Sequence, residues 1–191
     1  MDFKFTIDRV VELDIIPSTQ DMAKTLADTY PGENLLIQAT SQSAGHGRFD
    51  REWDAEEGGL YFSLLLRPKG AEKKTACLSV KAGEAVAKTL KEMYGLKTKI
   101  KLPNDVLALH KGEYKKIAGI LIETSLEEDK LNWLVIGIGV NLGNNLCSKL
   151  KNTATTVKDI TGQKPDVKEF RNALIKNFAD NYIQWLMSKS N

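Results

Sequence analysis

Residues 116–141, KIAGILIETSLEEDKLNWLVIGIGVN, decide the fold. Ile117 to Thr124 and Trp133 to Asn141 are apolar runs with few polar interruptions, of the length and composition of buried strands. The acidic stretch Glu127–Asp129 between them reads as a turn that makes the two strands neighbours. Working outward, Leu60 to Leu66 is a third buried strand, ending at Pro68. Leu35 to Ala39 and Thr98 to Lys101 are shorter strands. Cys77 to Met93 has helical spacing, with Val80, Ala82, Gly83, Val86, Ala87 and Leu90 inward and Gly95 as the stop. Asp166 opens a last helix whose Val167, Phe170, Leu174, Phe178, Tyr182 and Trp185 or Leu186 recur at steps of three or four. Thr155 to Ile160 is a short helix. Ser18-Thr19-Gln20-Asp21 is a helix start in which a hydroxyl caps and Asp21 complements the first turn. Met22, Leu26 and Tyr30 follow on one face, and Pro31-Gly32 stops that helix. The expected fold is α/β of the α+β type, a central mixed, largely antiparallel sheet with helices packed on it. No repeat or linker divides residues 1–191, so one domain is expected.

Composition narrows the function. The 191 residues carry 27 basic and 25 acidic side chains, a formal charge of +2, with 42% hydrophobic and 27% charged residues. This is ordinary for a folded domain and argues against a dedicated DNA-binding protein with a strongly basic face. No apolar run reaches membrane-spanning length, and Met1 to Val10 is no secretory signal. Cys77 and Cys147 lack metal-ligand spacing, and a reduced, cytoplasmic protein is expected. The only histidines, His46 and His110, leave little for a zinc site or a His-based triad.

Four segments carry chemistry. Gly45-His46-Gly47-Arg48-Phe49-Asp50-Arg51-Glu52-Trp53 lies in a loop from Thr40 to Gly59 that is too long to be mere connection. Its glycines let backbone approach a ligand, Arg48 and Arg51 offer donor forks for carboxylate or phosphate, and Trp53 a flat apolar surface. Alone, the same residues also describe a solvated loop. Lys101-Leu102-Pro103-Asn104-Asp105 sets an amide and a carboxylate side by side, for a hydroxyl or a magnesium ion, or as a simple Asx turn. Lys116 precedes an apolar strand, where its ammonium either points into a pocket or is solvated, and Gly119 within that strand implies a close neighbour. Gly137-Ile138-Gly139-Val140-Asn141 lacks the third glycine and following helix of a dinucleotide loop. Narrow strands lining a cavity explain it better, with Asn141 a two-way amide.

In this order, Ser18-Thr19, GHGRFDREW, KLPND, KIAGILIE and GIGVN resemble the catalytic domain of the biotin–protein ligases, over Ser18 to Asn141. The resemblance implies the class II synthetase-like fold of biotin and lipoate ligases. It also implies a two-step reaction: biotin's carboxylate attacks the α-phosphorus of ATP, giving biotinyl-5′-AMP, and a lysine of a biotin carboxyl carrier domain then takes the biotin. It maps biotin onto Ser18, Thr19, Gln20, Gln42, Gly45, His46, Gly47 and Arg48, with Gly119 and Gly137 lining the cavity. ATP or the adenylate maps onto Arg48, Arg51, Trp53, Lys101, Asn104, Asp105 and Asn141. Lys116 reaches both biotin and the α-phosphate, and Lys116 and Arg48 are the catalytic pair. No metal site of the chain is assigned, since Mg²⁺ travels with the ATP phosphates. The carboxylate is already ionised at neutral pH, so the first step needs no general base. The loop is expected to be partly mobile and to order over its ligand.

The chain departs from the family pattern in places. His46 replaces an arginine, removing one guanidinium and making anion contact pH-dependent. Leu102 replaces a tryptophan, expected as a packing change beneath the site. Ser18 is preceded by 17 residues, leaving no helix-turn-helix and no DNA partner expected. No C-terminal β-domain is expected before Asn191. No aromatic falls in Asn152 to Thr156 to meet the adenine. A homodimer is expected by resemblance. The alternatives are a lipoate or octanoate ligase or transferase, and a non-catalytic biotin-binding module.

Overall fold

The structure is a computed structural model and describes residues 4–68, 75–128 and 130–188. Among these residues seven strands form one sheet: β1 (Arg9–Ile16), β2 (Leu35–Gln42), β3 (Leu60–Leu66), β4 (Thr98–Lys101), β5 (Asp105–His110), β6 (Glu113–Glu127) and β7 (Lys130–Val140). Their order is β1-β2-β3-β7-β6-β5-β4. The β1–β2 pair is parallel and every other pair antiparallel, so the sheet is mixed as expected. Four helices accompany it: α1 (Thr19–Thr29), α2 (Thr75–Tyr94), α3 (Val157–Thr161) and α4 (Val167–Met187). None is long and apolar enough to cross a membrane.

The quoted stretch behaves as its composition dictates: Ile120 faces Ile138 and Ile122 faces Ile136 across β6 and β7. Asp129, the end of the expected turn, lies outside the described residues. Strand alternation then divides the molecule. Leu36, Phe62, Leu64, Ala118, Ile136 and Ile138 point to one face and bury against Leu78, Ala82, Val86 and Leu90 of α2 and Phe170, Leu174 and Phe178 of α4. The opposite face carries Leu35, Ile37, Leu65 and Val135, covered by Ala23 and Ala27 of α1. Helix α1 shields only that end of the face, and the cavity described below opens beyond it.

Three details differ from the expected layout. Strand β2 continues to Gln42, so the long loop starts there rather than at Thr40. Strands β1 and β5 were not anticipated: β1 is an edge strand exposed along most of its length, and β5 follows directly on the KLPND turn. In α2, Val80 and Ala87 are only half-buried, while Ala85 and Thr89 are fully enclosed.

Candidate active site

The floor of the cavity is made where strands carry no side chain on the open face. Gly119 of β6 sits opposite Gly139 of β7, which sits opposite Tyr61 of β3. One step along, Gly137 lies between Ser63 and Leu121. The resulting cavity holds about 320 Å³, within the usual range for a small-molecule site.

Helix α1 builds the polar end. Ser18 caps it, its hydroxyl accepting from Gln20 N at 3.2 Å and Asp21 N at 3.3 Å. Thr19 N donates to Gln42 Oε1 at 2.7 Å, which fixes the strand end against the helix start. Ser63 Oγ donates to Gln20 Oε1 at 3.0 Å, and the Thr19 and Ser63 hydroxyls are 2.9 Å apart. Gln20 crosses directly above Gly137, where an added Cβ would lie 2.5 Å from its Oε1. Ser18, Thr19, Gln20 and Ser63 are all buried, so this end is a desolvated, hydrogen-bonded wall. Sequence reasoning missed what anchors it: Lys24 Nζ bridges Asp21 Oδ1 at 2.8 Å and Glu123 Oε1 at 3.0 Å, tying α1 to β6.

The glycine–arginine loop folds back over the floor. Bridges Gln42–Ala55 and His46–Glu52 close its base, and a 3-10 turn, Arg48–Asp50, forms its tip. Gly45 is the exception among the sequence-selected residues. It does not line the cavity but is pinched beneath, its carbonyl accepting from Trp53 N at 2.8 Å and its Cα so close that a Cβ would lie 2.7 Å from Trp53 O. His46 faces α1, its Nδ1 3.8 Å from Asp21 Oδ2. The Trp53 indole rests on the glycine floor: a Cβ at Gly139 or Gly119 would fall 2.6 or 2.8 Å from its ring. Its Nε1 is buried without a hydrogen-bond partner among the described residues. Arg48 and Arg51 are exposed at the tip, and the Arg48 guanidinium stacks 4.9 Å above the Phe49 ring.

Lys116 stands where two cavities meet. Its backbone is fastened on the side away from β5, donating to Thr153 O and accepting from Thr155 N, both at 2.9 Å. Its Nζ lies 2.6 Å from Asp105 Oδ1 and 5.1 Å from the Trp53 ring centroid. Lys115 turns elsewhere, donating to Lys151 O at 3.2 Å. In the KLPND segment both Asn104 and Asp105 line the cavity, with Asn104 Nδ2 donating to Ile120 O at 3.0 Å and Asp105 taking Lys116, and one expectation is corrected. Leu102 is not beneath the site but at its mouth, 70% exposed.

A second cavity of about 430 Å³ shares Glu52, Trp53, Lys101, Asp105 and Lys116 with the first. It adds Asn141, whose Oδ1 accepts from Asn144 Nδ2 at 3.2 Å, and the apolar Leu107, Leu146 and Leu150. Of the expected stretch Asn152 to Thr156, Asn152, Thr153 and Ala154 line this cavity, and its aromatic ring beside Trp53 is Tyr114. Nothing local to Tyr114 marks it; only the β5–β6 hairpin brings it round. Ser18, Thr19, Gln20, Gln42, His46, Gly47, Arg48, Arg51, Gly119 and Gly137 line the first cavity, as does Asn104. The arrangement is one trough: a polar, enclosed end, a central cation and a wider apolar end with a buried amide.

A seven-stranded mixed sheet carrying such a trough beside a helix N-terminus defines a class, and residues 12–141 match the biotin/lipoate A/B protein ligase family, to which the chain belongs. Within it, the relatives and solved structures that the chain resembles include biotin protein ligases. The chain is 40% identical over 157 residues to the bifunctional ligase/repressor BirA of Bacillus subtilis, covering 80% of this chain and 47% of that protein. It is 37% identical over 168 residues to the biotin–[acetyl-CoA-carboxylase] ligase of Paracoccus denitrificans, covering 85% and 68% respectively. The biotin protein ligase of Aquifex aeolicus, solved in complex with biotin and ATP, superposes with a TM-score of 0.77 at 33% identity, over 96% of this chain and 74% of that one. The chain thus spans about half the length of its Bacillus relative.

Proposed function

We propose that the chain is an ATP-dependent ligase that activates biotin as biotinyl-5′-AMP and transfers it to a lysine of a biotin carboxyl carrier domain. One observation carries this reading: Lys116 sits at the junction of a pocket with a buried polar end and a second cavity of about 430 Å³. A reaction that joins two anions needs a cation at their meeting point and little else.

In this reading the ureido group of biotin, with two N–H donors and one acceptor, lies against Gln20, Thr19, Ser63 and Gln42. Its bicycle rests on the glycine floor beside Trp53, and its carboxylate points to Lys116. The nucleotide enters the second cavity, its base among Tyr114, Leu146 and Leu150 and near Asn141. Lys116 leaves Asp105 for the α-phosphate and stabilises the charge that develops there. Arg48 and Arg51 close from the loop tip over the phosphates, and Lys101 flanks them. The acyl phosphate formed is attacked by the neutral amine of the acceptor lysine, the C–N bond forms, and AMP leaves. The described residues gather no cradle of three acidic, histidine or cysteine side chains. Mg²⁺ would be held mainly by the phosphates of ATP, and no step is routed through a protein-held metal.

Incubation with ATP, Mg²⁺, biotin and a carrier domain, with pyrophosphate and biotinylated product followed separately, tests this. Both products are expected. Pyrophosphate with lipoate or octanoate in place of biotin would favour the alternative ligase, and biotin binding without pyrophosphate a non-catalytic module.

A further inference from the structure

The glycine–arginine loop parts from helix α1 at a histidine. Its start still follows the β1–β2 ladder outward: Ser43 N donates to Ile16 O and Ala44 N to Pro17 O, both at 3.0 Å. Beyond Ala44 the backbone bonds turn back on the loop itself, Gly47 N donating to Arg51 O at 2.7 Å and Trp53 N to Gly45 O at 2.8 Å. His46 stands at that parting, half-buried and lining the cavity. Its Nδ1 faces Ala44 O at 3.4 Å and Asp21 Oδ2 at 3.8 Å. The other Asp21 oxygen is held by Lys24, which also pairs with Glu123 of β6. A row of alternating charge thus runs from the sheet through α1 to the loop, and its outermost member is a histidine.

We propose that His46 is a positioning residue for biotin: its imidazole clasps the loop to α1 through Asp21, and the clasp tightens when the ring is protonated. This rests on the ligase reading. The charges around the ring set the sign. Asp21 and Lys24 come from α1, Glu123 from β6 by way of Lys24, Glu52 lies across the loop bridge, and Arg48 and Arg51 stand at the tip. Asp21 is the carboxylate within ion-pair reach. A neutral ring offers it at most one N–H, for which Ala44 O competes. A protonated ring carries a proton on both nitrogens and adds the attraction of a full charge. Histidine changes charge between about pH 5 and 8, where carboxylates are ionised. The loop covers the biotin pocket, so holding it against α1 slows the escape of biotin. The gain is present below the histidine range and lost above it, and by linkage biotin draws a proton to His46. An arginine in its place, charged throughout, would clasp at every pH.

The test is calorimetric titration of biotin at about pH 5.5 and about pH 8, on either side of the histidine range. An ion pair this exposed is worth about two- to fivefold in affinity, and wild type is expected to bind biotin more tightly at the lower pH by that factor. His46→Gln and Asp21→Asn are expected to lose the dependence, and His46→Arg to bind alike at both values. Biotinol, the alcohol analogue without the carboxylate, is expected to keep the dependence in wild type. With His46 and His110 the only histidines, ring signals in the NMR spectrum are assigned by His46→Gln, and biotin is expected to shift the His46 titration to higher pH. Melting curves confirm that each variant folds. A dependence that persists in Asp21→Asn, or that biotinol lacks, would make His46 a direct contact of the biotin carboxylate and overturn the clasp. So would a dependence that persists in His46→Gln, or a wild type whose affinity is the same at both values. Absence of biotin binding by wild type at either pH overturns the ligase reading itself.

Discussion

Gly137→Ala puts one methyl group where the structure leaves no room. The new Cβ would stand 2.5 Å from Gln20 Oε1, 3.3 Å from Gln20 Cδ and 3.6 Å from Ser63 Oγ. In a strand free of neighbours the change would stabilise by about 0.4–1 kcal/mol, through a less flexible unfolded chain. Here Gln20 must retreat by about 1 Å to reach an ordinary contact. That motion breaks the 3.0 Å hydrogen bond that Ser63 donates to the buried Gln20 Oε1, while Ser63 keeps the Thr19 hydroxyl at 2.9 Å. A buried polar group left unpaired costs about 1–3 kcal/mol, more than the entropic gain. With the middle of those ranges leaving a net cost of about 1–2 kcal/mol, the variant should melt about 2–8 °C lower, given about 2–4 °C per kcal/mol at this length. Its affinity for biotin should fall about 10- to 100-fold, because Gln20 faces the ureido group, while ATP binding is unchanged. Thermal melting with calorimetric titration of biotin and of a non-hydrolysable ATP analogue measures all three. Unaltered biotin affinity with a lowered melting temperature would remove Gln20 from the biotin wall, and weakened nucleotide binding instead would reverse the two ends of the trough.

Ser18→Ala should lower the melting temperature by about 2–4 °C, since removing an N-cap costs about 1 kcal/mol; biotin should weaken with it, and a melt equal to wild type would refute the capping role. Arg171 donates a hydrogen bond to Glu12 and pairs with it, holding the Glu12 carboxyl below the usual glutamate range. A depressed folded pKa stabilises above the ordinary glutamate value and is lost as the pH falls through the folded one. Glu12→Gln should therefore melt below wild type at pH 7 and converge with it under acid, and a constant gap across that range would contradict the sign. Trypsin should cut at Arg48 and Arg51, exposed on the loop tip, and biotin with ATP should slow both cuts; equal rates would show that the loop does not close.

The extent to which the sequence exposed this architecture follows from burial. The stretch 116–141 was readable because both its strands lie inside the sheet and carry nearly uninterrupted apolar residues. Helices α1 and α4 were readable from their caps, Ser18 and Asp166, together with helical spacing. Edge strand β1 was not, because Arg9, Glu12 and Asp14 face water and interrupt any apolar run. Strand β5 was hidden behind a motif that drew attention to Asn104 and Asp105 as ligands. In the fold one fastens β6 and the other holds Lys116. The glycines gave a true signal of close approach, but not that Trp53 and Gln20 from distant segments would make it. Tyr114, Glu123 and the rim position of Leu102 arise from strand pairing alone.

The most direct measurement is single-turnover pyrophosphate release from ATP by wild type, Lys116→Ala and Lys115→Ala, with biotin or lipoate supplied. One preorganised cation at the developing charge is worth on the order of 10²–10³ in rate. Wild type should release pyrophosphate with biotin and not with lipoate, Lys116→Ala should be slower by about that factor, and Lys115→Ala, whose ammonium is turned to Lys151 O, should match wild type. A silent Lys116→Ala beside a damaged Lys115→Ala, or release that lipoate supports as well as biotin, would contradict the account.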